Sequence, residues 1–230
     1  MPEKIKVCAV MTLPRIGYND FWSGAYNSLQ GLGIPLRTRT GVFWEQCLQD
    51  LFEEVIADGF DWIMVLDYDS LFTKKHALKM LRTMEERSDI DALAPLQPRR
   101  TAGTPLLTIK GVESFEVGGD PIEVTTAHFG LTLLKLNKVK DIPKPWFVGT
   151  PNNEGRWQEG KIDPDPYFWL KWKEYGNSIW VHCGVRIGHM EVMVRDYDEL
   201  MRERLMVVEH WKMENKDPGV LIDKTGAINA

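Results

Sequence analysis

Asp67 and Asp69 stand one residue apart, directly after the apolar run Trp62-Ile63-Met64-Val65-Leu66. A continuous apolar run of this length reads as a strand buried on both faces. Two carboxylates at the tip of such a strand repel each other and lose hydration, which is costly without a cation. A hard divalent ion, with phosphate oxygens as its further ligands, relieves that cost. The competing interpretation makes Asp67 the cap of the following turn and leaves Asp69 solvated. The D-x-D pattern alone decides little, because it occurs at 67–69, 89–91, 163–165 and 196–198, and chance would give about one copy. Position separates them: only the first pair follows a buried strand. The pairs at 89–91 and 196–198 flank predicted helices and read as caps or solvated faces.

The elements that must position Asp67 and Asp69 follow from periodicity. Residues 5–11 form a first apolar strand, and 18–32 a helix with Asn19 or Asp20 near its cap. A short strand covers 34–39. Phe43, Cys47, Leu48, Leu51, Phe52, Val55 and Ile56 recur at helical spacing, and Gly59 ends that helix. Residues 62–66 form the buried strand, Thr73 caps a helix running to about Arg87, and 92–96 form a fourth strand. This alternation implies right-handed crossovers and a parallel sheet that binds its ligands at the carboxyl ends of the strands. Residues 104–136 hold short β-like runs at 106–109, 114–117, 122–126 and 130–136. Residues 148–163, rich in Gly, Asn and Pro, read as a mobile loop. A helix is predicted over 164–175, strands over 178–182 and 185–190, and a helix from Tyr197 to about Met213. No internal repeat, low-complexity block or clear domain boundary is visible, so a single domain is expected: 1–100, 101–192 and a C-terminal helix and tail over 193–230.

Composition is that of an ordinary globular chain, with 43% hydrophobic and 27% charged residues. The net charge of −5 argues against general attraction to nucleic-acid backbones or anionic membranes. The three cysteines lack a C-x-x-C spacing, so reduced thiols in a cytoplasmic compartment are the simplest expectation. The opening segment reads as a strand rather than a signal peptide, and no apolar run reaches the length of a membrane span.

Three segments carry a family resemblance. F-D-W-I-M-V-L-D-Y-D-S-L-F (60–72) resembles the D-x-D region of nucleotide-sugar-dependent glycosyltransferases of the GT-A fold. H-F-G-L-T-L-L-K-L-N-K-V-K-D-I-P-K-P-W-F (128–147) resembles their acceptor-side strand and the turn after it. D-P-D-P-Y-F-W-L-K-W-K-E-Y-G-N-S-I-W-V-H-C-G-V-R-I-G-H-M (163–190) resembles their acidic helix start and terminal G-H. The resemblance implies an α/β fold: a GT-A-like, Rossmann-type, mostly parallel central sheet flanked by helices, with a smaller β-rich acceptor side. It implies a metal-dependent transferase using a nucleoside diphosphate sugar, with UDP as the expected carrier and Mn²⁺ or Mg²⁺ as cofactor. Carried over residue by residue, Asp67 contacts the donor ribose or the metal, Asp69 binds the metal and His189 completes its site. Thr12, Leu13, Pro14 and Arg15 after the first strand, with Asp67 and Tyr68, line the donor pocket. Asp165 matches the general base that takes the acceptor proton, which favours inversion at the anomeric carbon. Family members commonly carry Glu-Asp there, whereas Pro164 precedes Asp165 here. Asp163 is the alternative base and also a good N-cap with Pro164 at the first helical position. His182 reads as structural and His128 stays undecided. Trp146 and Trp157, beside the Gly-rich loop, are acceptor-side candidates; Trp44 reads as core.

Two other interpretations fit parts of the pattern. A phosphatase of the haloacid dehalogenase type also carries D-x-D after an apolar strand, with the first aspartate as nucleophile. Leu71 occupies its Thr/Val position, and two strands precede the motif here. A non-catalytic nucleotide-sugar binder on the same fold is the third. The acceptor stays open among a glycan, a protein, a small molecule and a modified nucleic-acid base.

Overall fold

The computed structural model describes residues 5–14, 17–99, 104–107, 118–214, 221–222 and 228–229. Arg15 and the β-like run at 114–117 lie outside these residues, as does the second half of the run at 106–109. The described chain forms two compact units, 1–189 and 190–230.

The first unit is built on a mixed sheet of seven strands. Strands β1 (Val7–Leu13), β2 (Leu36–Thr40) and β3 (Trp62–Leu66) are mutually parallel, with β1 in the middle. A two-residue strand β4 (Ser70–Leu71) follows β3, and β5 (Ala92–Leu96) comes next along the chain. β5 does not pair with β3: β7 (Thr132–Lys135) lies between them, antiparallel to both. Strand β8 (Ile179–Arg186) runs parallel to β5, and the two-residue β6 (Ile122–Glu123) closes the far edge antiparallel to β8. Five of the strands therefore point one way, as the alternating pattern requires, and β7 and β6 oppose them. The β-like run expected at 130–136 is β7, and what simple alternation does not give is its place between β3 and β5. Its Thr132, Leu133 and Leu134 are fully buried, as a strand covered on both faces must be.

Alternation along β1 and β3 divides the core. Cys8, Val10, Ile63 and Val65 belong to one apolar cluster with helix α2 (Trp44–Ala57) and the later α5 (Pro164–Glu174). The intervening Ala9, Met11, Met64 and Leu66 are equally buried and point to the opposite face. There α1 (Asn19–Gln30) packs on α3 (Lys74–Glu86). Thr73 caps α3, and the His76 ring accepts a hydrogen bond from the Thr73 amide. On the α2/α5 side Phe168 stacks on Phe147 at 4.9 Å and on Trp172 at 5.7 Å, and Phe129 stacks on Trp169 at 5.0 Å. Trp146 belongs to this core: it is 3% exposed, lies against Phe52, and gives its indole N–H to the Ile142 carbonyl.

At the free edge of β2, Arg37 pairs with Asp58, and Arg39 with Asp50 and Glu54 of α2. The pair Asp89 and Asp91 is structural. Asp91 accepts a hydrogen bond from the Ser178 amide at 3.0 Å, tying β5 to the approach of β8, and Lys138 lies 3.6 Å away. Strand β8 joins the segment predicted over 178–182 to the start of the one predicted over 185–190, with a slip: Pro95 pairs with His182, but Leu96 pairs with Arg186.

In the second unit the helix expected from Tyr197 is instead a hairpin, β10 (Met193–Tyr197) antiparallel to β11 (Glu203–Val207), followed by α6 (Val208–Glu214). Asp198 decides this. Its carboxylate accepts from the amides of Leu200 and Arg202, both at 2.9 Å. Met201 beyond it takes a left-handed φ of 59°, which a helix excludes. Asp196 accepts from Arg204 and from the Trp211 indole. The 196–198 pair thus closes a hairpin rather than capping a helix. Residues 221–222 and 228–229 form a second small antiparallel pair. Among the described residues no helix is long and apolar enough to cross a membrane.

Phe168 sits at the centre of the aromatic cluster with no exposed surface. Phe168→Ala is expected to destabilise the fold by about 3–5 kcal/mol, measured by urea unfolding. A loss below about 1 kcal/mol would show that the cluster collapses around the cavity.

Candidate active site

The carboxyl edge of the sheet holds the residues singled out in the sequence. After β3 the chain turns at once: the Ser70 amide donates to the Asp67 carbonyl at 3.1 Å, so Asp67 and Asp69 share one tight turn. Asp67 and Tyr68 are half-buried, and Asp69 is only 3% exposed. Strand β4 then pairs with β9 (Gly188–His189), Ser70 opposite His189 and Leu71 opposite Gly188. This ladder carries His189, more than a hundred residues away in sequence, to Asp69.

The His189 Nε2 atom lies 3.4 Å from Asp69 Oδ2. On the other side of the ring, Nδ1 sits 3.0 Å from the Pro98 carbonyl. A carbonyl only accepts, so Nδ1 carries the proton and Nε2 presents a lone pair toward the carboxylate in the neutral ring. A nitrogen and an oxygen donor therefore face one another at the sheet edge. Among the described residues no group of three His, Cys, Asp or Glu side chains is gathered closely enough to hold an ion.

A pocket of about 200 Å³, which Tyr68 next to Asp69 helps to line, opens between the carboxyl ends of β1 and β2 and the start of α2, with Thr12, Leu13, Pro14, Gly41, Val42, Trp44 and Cys47 as its other walls. It thus gathers Thr12 and Pro14 from the end of β1 with Tyr68 from the turn after β3. The Tyr68 ring lies parallel to that of Tyr18, with centroids 6.2 Å apart. Trp44 also packs edge-on against Phe147. Cys47, at the pocket wall, carried no signal in the sequence beyond its helical phase. All three cysteines are buried and free.

The other carboxylates stand at the start of α5. Asp163 is the N-cap residue, with Pro164 at the first helical position, and its carboxylate pairs with Lys161 at 2.9 Å. Asp165, in the first turn, is half-buried. Burial chiefly, and then the charge of Asp163, push its pKa up to about 6, with Lys161 opposing. The preceding loop is organised by Asn152, whose side-chain oxygen accepts from the amides of Glu154 and Arg156 and whose amide group donates to the Glu159 carbonyl. Thr150 bridges to Ile162 and closes it. Trp157 is 62% exposed. Its ring packs so closely on Gly149 that a Cβ there would meet it at 3.3 Å, with Pro164 at 3.6 Å from the same point. An open indole therefore stands beside the helix start that bears Asp165.

The two remaining candidates are structural. His128 is buried, with Nδ1 accepting from the Gly130 amide at 2.9 Å and Nε2 at 2.9 Å from the Pro95 carbonyl. Burial first, and then the nearby His189, lower its pKa to about 4, so it is neutral. His182 accepts from the Gly184 amide, and burial lowers its pKa also.

No protein-family model matches the sequence, and no curated protein matches it. Solved structures do resemble the fold. A197 from STIV superposes with a TM-score of 0.57 at 13% identity, over 87% of this chain and 93% of that one. GalNAc-T7 with UDP, GalNAc and Mn²⁺ superposes with a TM-score of 0.54 at 9% identity, over 82% of this chain but 44% of that one. At these identities the likeness is one of fold: a GT-A-like α/β architecture with a mostly parallel central sheet flanked by helices.

The raised pKa of Asp165 has a signed consequence. The unfolded state releases this proton near pH 3.8 and the folded state near 6. Between those values the folded state holds more protons, so this group lowers stability as pH rises. Asp165→Asn should therefore leave stability nearly unchanged below pH 4 and raise it progressively at higher pH, by about 3 kcal/mol once pH exceeds about 7, read from paired thermal melts. A variant destabilised at pH 7.5 would show that the carboxylate is stabilised rather than strained.

Proposed function

We propose that this protein is a glycosyltransferase that moves a sugar from a nucleoside diphosphate sugar, with UDP as the expected nucleotide, to an acceptor hydroxyl. The observation that carries this proposal is the pairing of Asp69 with the lone-pair nitrogen of His189 at the carboxyl edge of β3, next to Tyr68, which lines a pocket with Thr12. A carboxylate and a neutral imidazole form a mixed oxygen–nitrogen donor set that fits Mn²⁺ better than Mg²⁺. Asp69 and His189 would each supply one donor to such an ion, and the donor diphosphate and water would supply others. When bound, such an ion supplies Lewis-acid stabilisation of the charge that accumulates on the departing diphosphate.

The protein's own residues do the rest. Thr12, Pro14 and Tyr68 hold the nucleoside, and Asp67, at the head of the turn, faces its ribose or the ion. The acceptor oxygen attacks the anomeric carbon, the bond from that carbon to the diphosphate oxygen breaks, and the diphosphate leaves with the electron pair. Asp165 takes the acceptor's proton. Its raised pKa suits a base that must both accept and release a proton near neutrality. Attack opposite the leaving group inverts the anomeric centre. Asp163, paired with Lys161, stands as the alternative base. The exposed Trp157 offers an apolar ring beside Asp165 for the face of a sugar acceptor.

The test is a screen of nucleotide sugars by thermal shift with and without Mn²⁺, followed by donor hydrolysis and transfer. One donor should stabilise the fold only with the ion, because binding stabilises by mass action. Asp69→Asn should lower turnover at least about 100-fold. Full activity in that variant would refute the metal role, and binding without any turnover would make the protein a binder. In the wild type, transfer should fall as pH drops through about 6, the value at which Asp165 takes up its proton; a flat profile down to pH 5 would exclude Asp165 as base.

A further inference from the structure

The contact between Asp69 and His189 depends on a ladder only two residues long on each side. A two-stranded ribbon of that length is not stable by itself. Something outside it must fix its register, and the carboxyl end of β5 does so at three successive residues. The Leu96 carbonyl accepts from the Ile187 amide at 2.9 Å. The Gln97 side-chain amide donates to the Gly188 carbonyl at 3.2 Å. The Pro98 carbonyl accepts from His189 Nδ1 at 3.0 Å. Residues 96, 97 and 98 thus hold residues 187, 188 and 189 in order.

Gln97 differs from its two neighbours in acting through its side chain and in reaching both strands. The same Nε2 also donates to Ser70 Oγ at 2.8 Å. One amide nitrogen therefore ties the residue after Asp69 to the residue before His189. The orientation of the amide is forced, because the Gly188 carbonyl needs a donor and would repel Oε1. Gln97 is 2% exposed, and its Oε1 has no hydrogen-bond partner among the described residues. A buried acceptor left unpaired is a cost, tolerated here while both donor hydrogens are used. Gly130 packs close against this group: a Cβ there would lie 2.6 Å from Gln97 Oε1, 2.7 Å from Ser70 Oγ and 2.9 Å from His128 Nδ1.

We infer that Gln97 is a positioning residue for the cation pair, the clamp that keeps the Asp69 carboxylate and His189 Nε2 turned toward one site. This rests on the proposed role of Asp69 and His189 as ligands. Partners outside the ligand set that orient the ligands typically contribute 10–100-fold to metal affinity.

The experiment is a titration with Mn²⁺ alone, followed by the loss of the free-ion electron paramagnetic resonance signal, on the full chain. Gln97→Met keeps length and apolar volume but removes both donors. It is expected to weaken Mn²⁺ binding about tenfold while the cooperative melt is retained. Ser70→Ala removes one of the two bonds and should weaken binding less, and the double variant should be no worse than Gln97→Met, since both act through the same amide. Should Gln97→Met fail to fold, Ser70→Ala carries the test alone: affinity within twofold of wild type would overturn the inference. The same result for a folded Gln97→Met would overturn it too, provided Asp69→Asn abolishes binding. Equal Mn²⁺ binding by wild type and Asp69→Asn would instead sink the ligand assignment itself, so the two failures are distinguishable.

Discussion

A carboxylate and an imidazole nitrogen separated by 3.4 Å is the constraint around which the carboxyl edge of the first unit is arranged. Asp69 comes from a turn that leaves a buried strand, and His189 from the end of another strand far along the chain. Neither segment is long enough to hold the other. The end of β5 supplies the missing rigidity, through two backbone carbonyls and one side-chain amide. The geometry of the proposed ligand pair is thus inherited from the centre of the sheet, where β5 is buried along its whole length.

The register slip in β8 belongs to the same construction. Between the pairing of Pro95 with His182 and that of Leu96 with Arg186, one strand advances by one residue and the other by four. The extra length lets the chain bend over the end of β5 and present residues 187–189 to the D-x-D turn. Irregularities of this kind recur next to functional sites, where they re-aim a side chain. A regular strand continuing from His182 would have carried residues 187–189 past the turn.

Much of the first unit was legible in the sequence because apolar period and capping act locally. The strands at 62–66 and 92–96, the cap at Thr73, and the helix opening on Pro164 follow from residues within a few positions of each element. What stayed hidden depends on distant partners. The antiparallel β7 enters between β3 and β5 because both of its faces are covered, a fact no local window contains. The helix expected from Tyr197 to about Met213 forms only from Val208, and the bonds of the Asp198 carboxylate to two amides ahead of it turn the earlier part into a hairpin. Trp146 and Trp157 have similar neighbourhoods in sequence, yet one is walled in by Phe52 and the other lies open on Gly149. Gln97 gave no signal at all: a lone glutamine between two prolines says nothing of the two strands it joins.

The borders of the seven-stranded sheet have a consequence for colloidal behaviour. One border is β2, Leu-Arg-Thr-Arg-Thr, whose two guanidinium groups are engaged by acidic residues at 50, 54 and 58. Among the described residues the other is β6, two residues long. An unpaired strand invites another chain to add to it, and charged side chains or very short strands discourage such addition. Each border carries one of these two safeguards, so the sheet offers a poor template for end-to-end growth into fibrils.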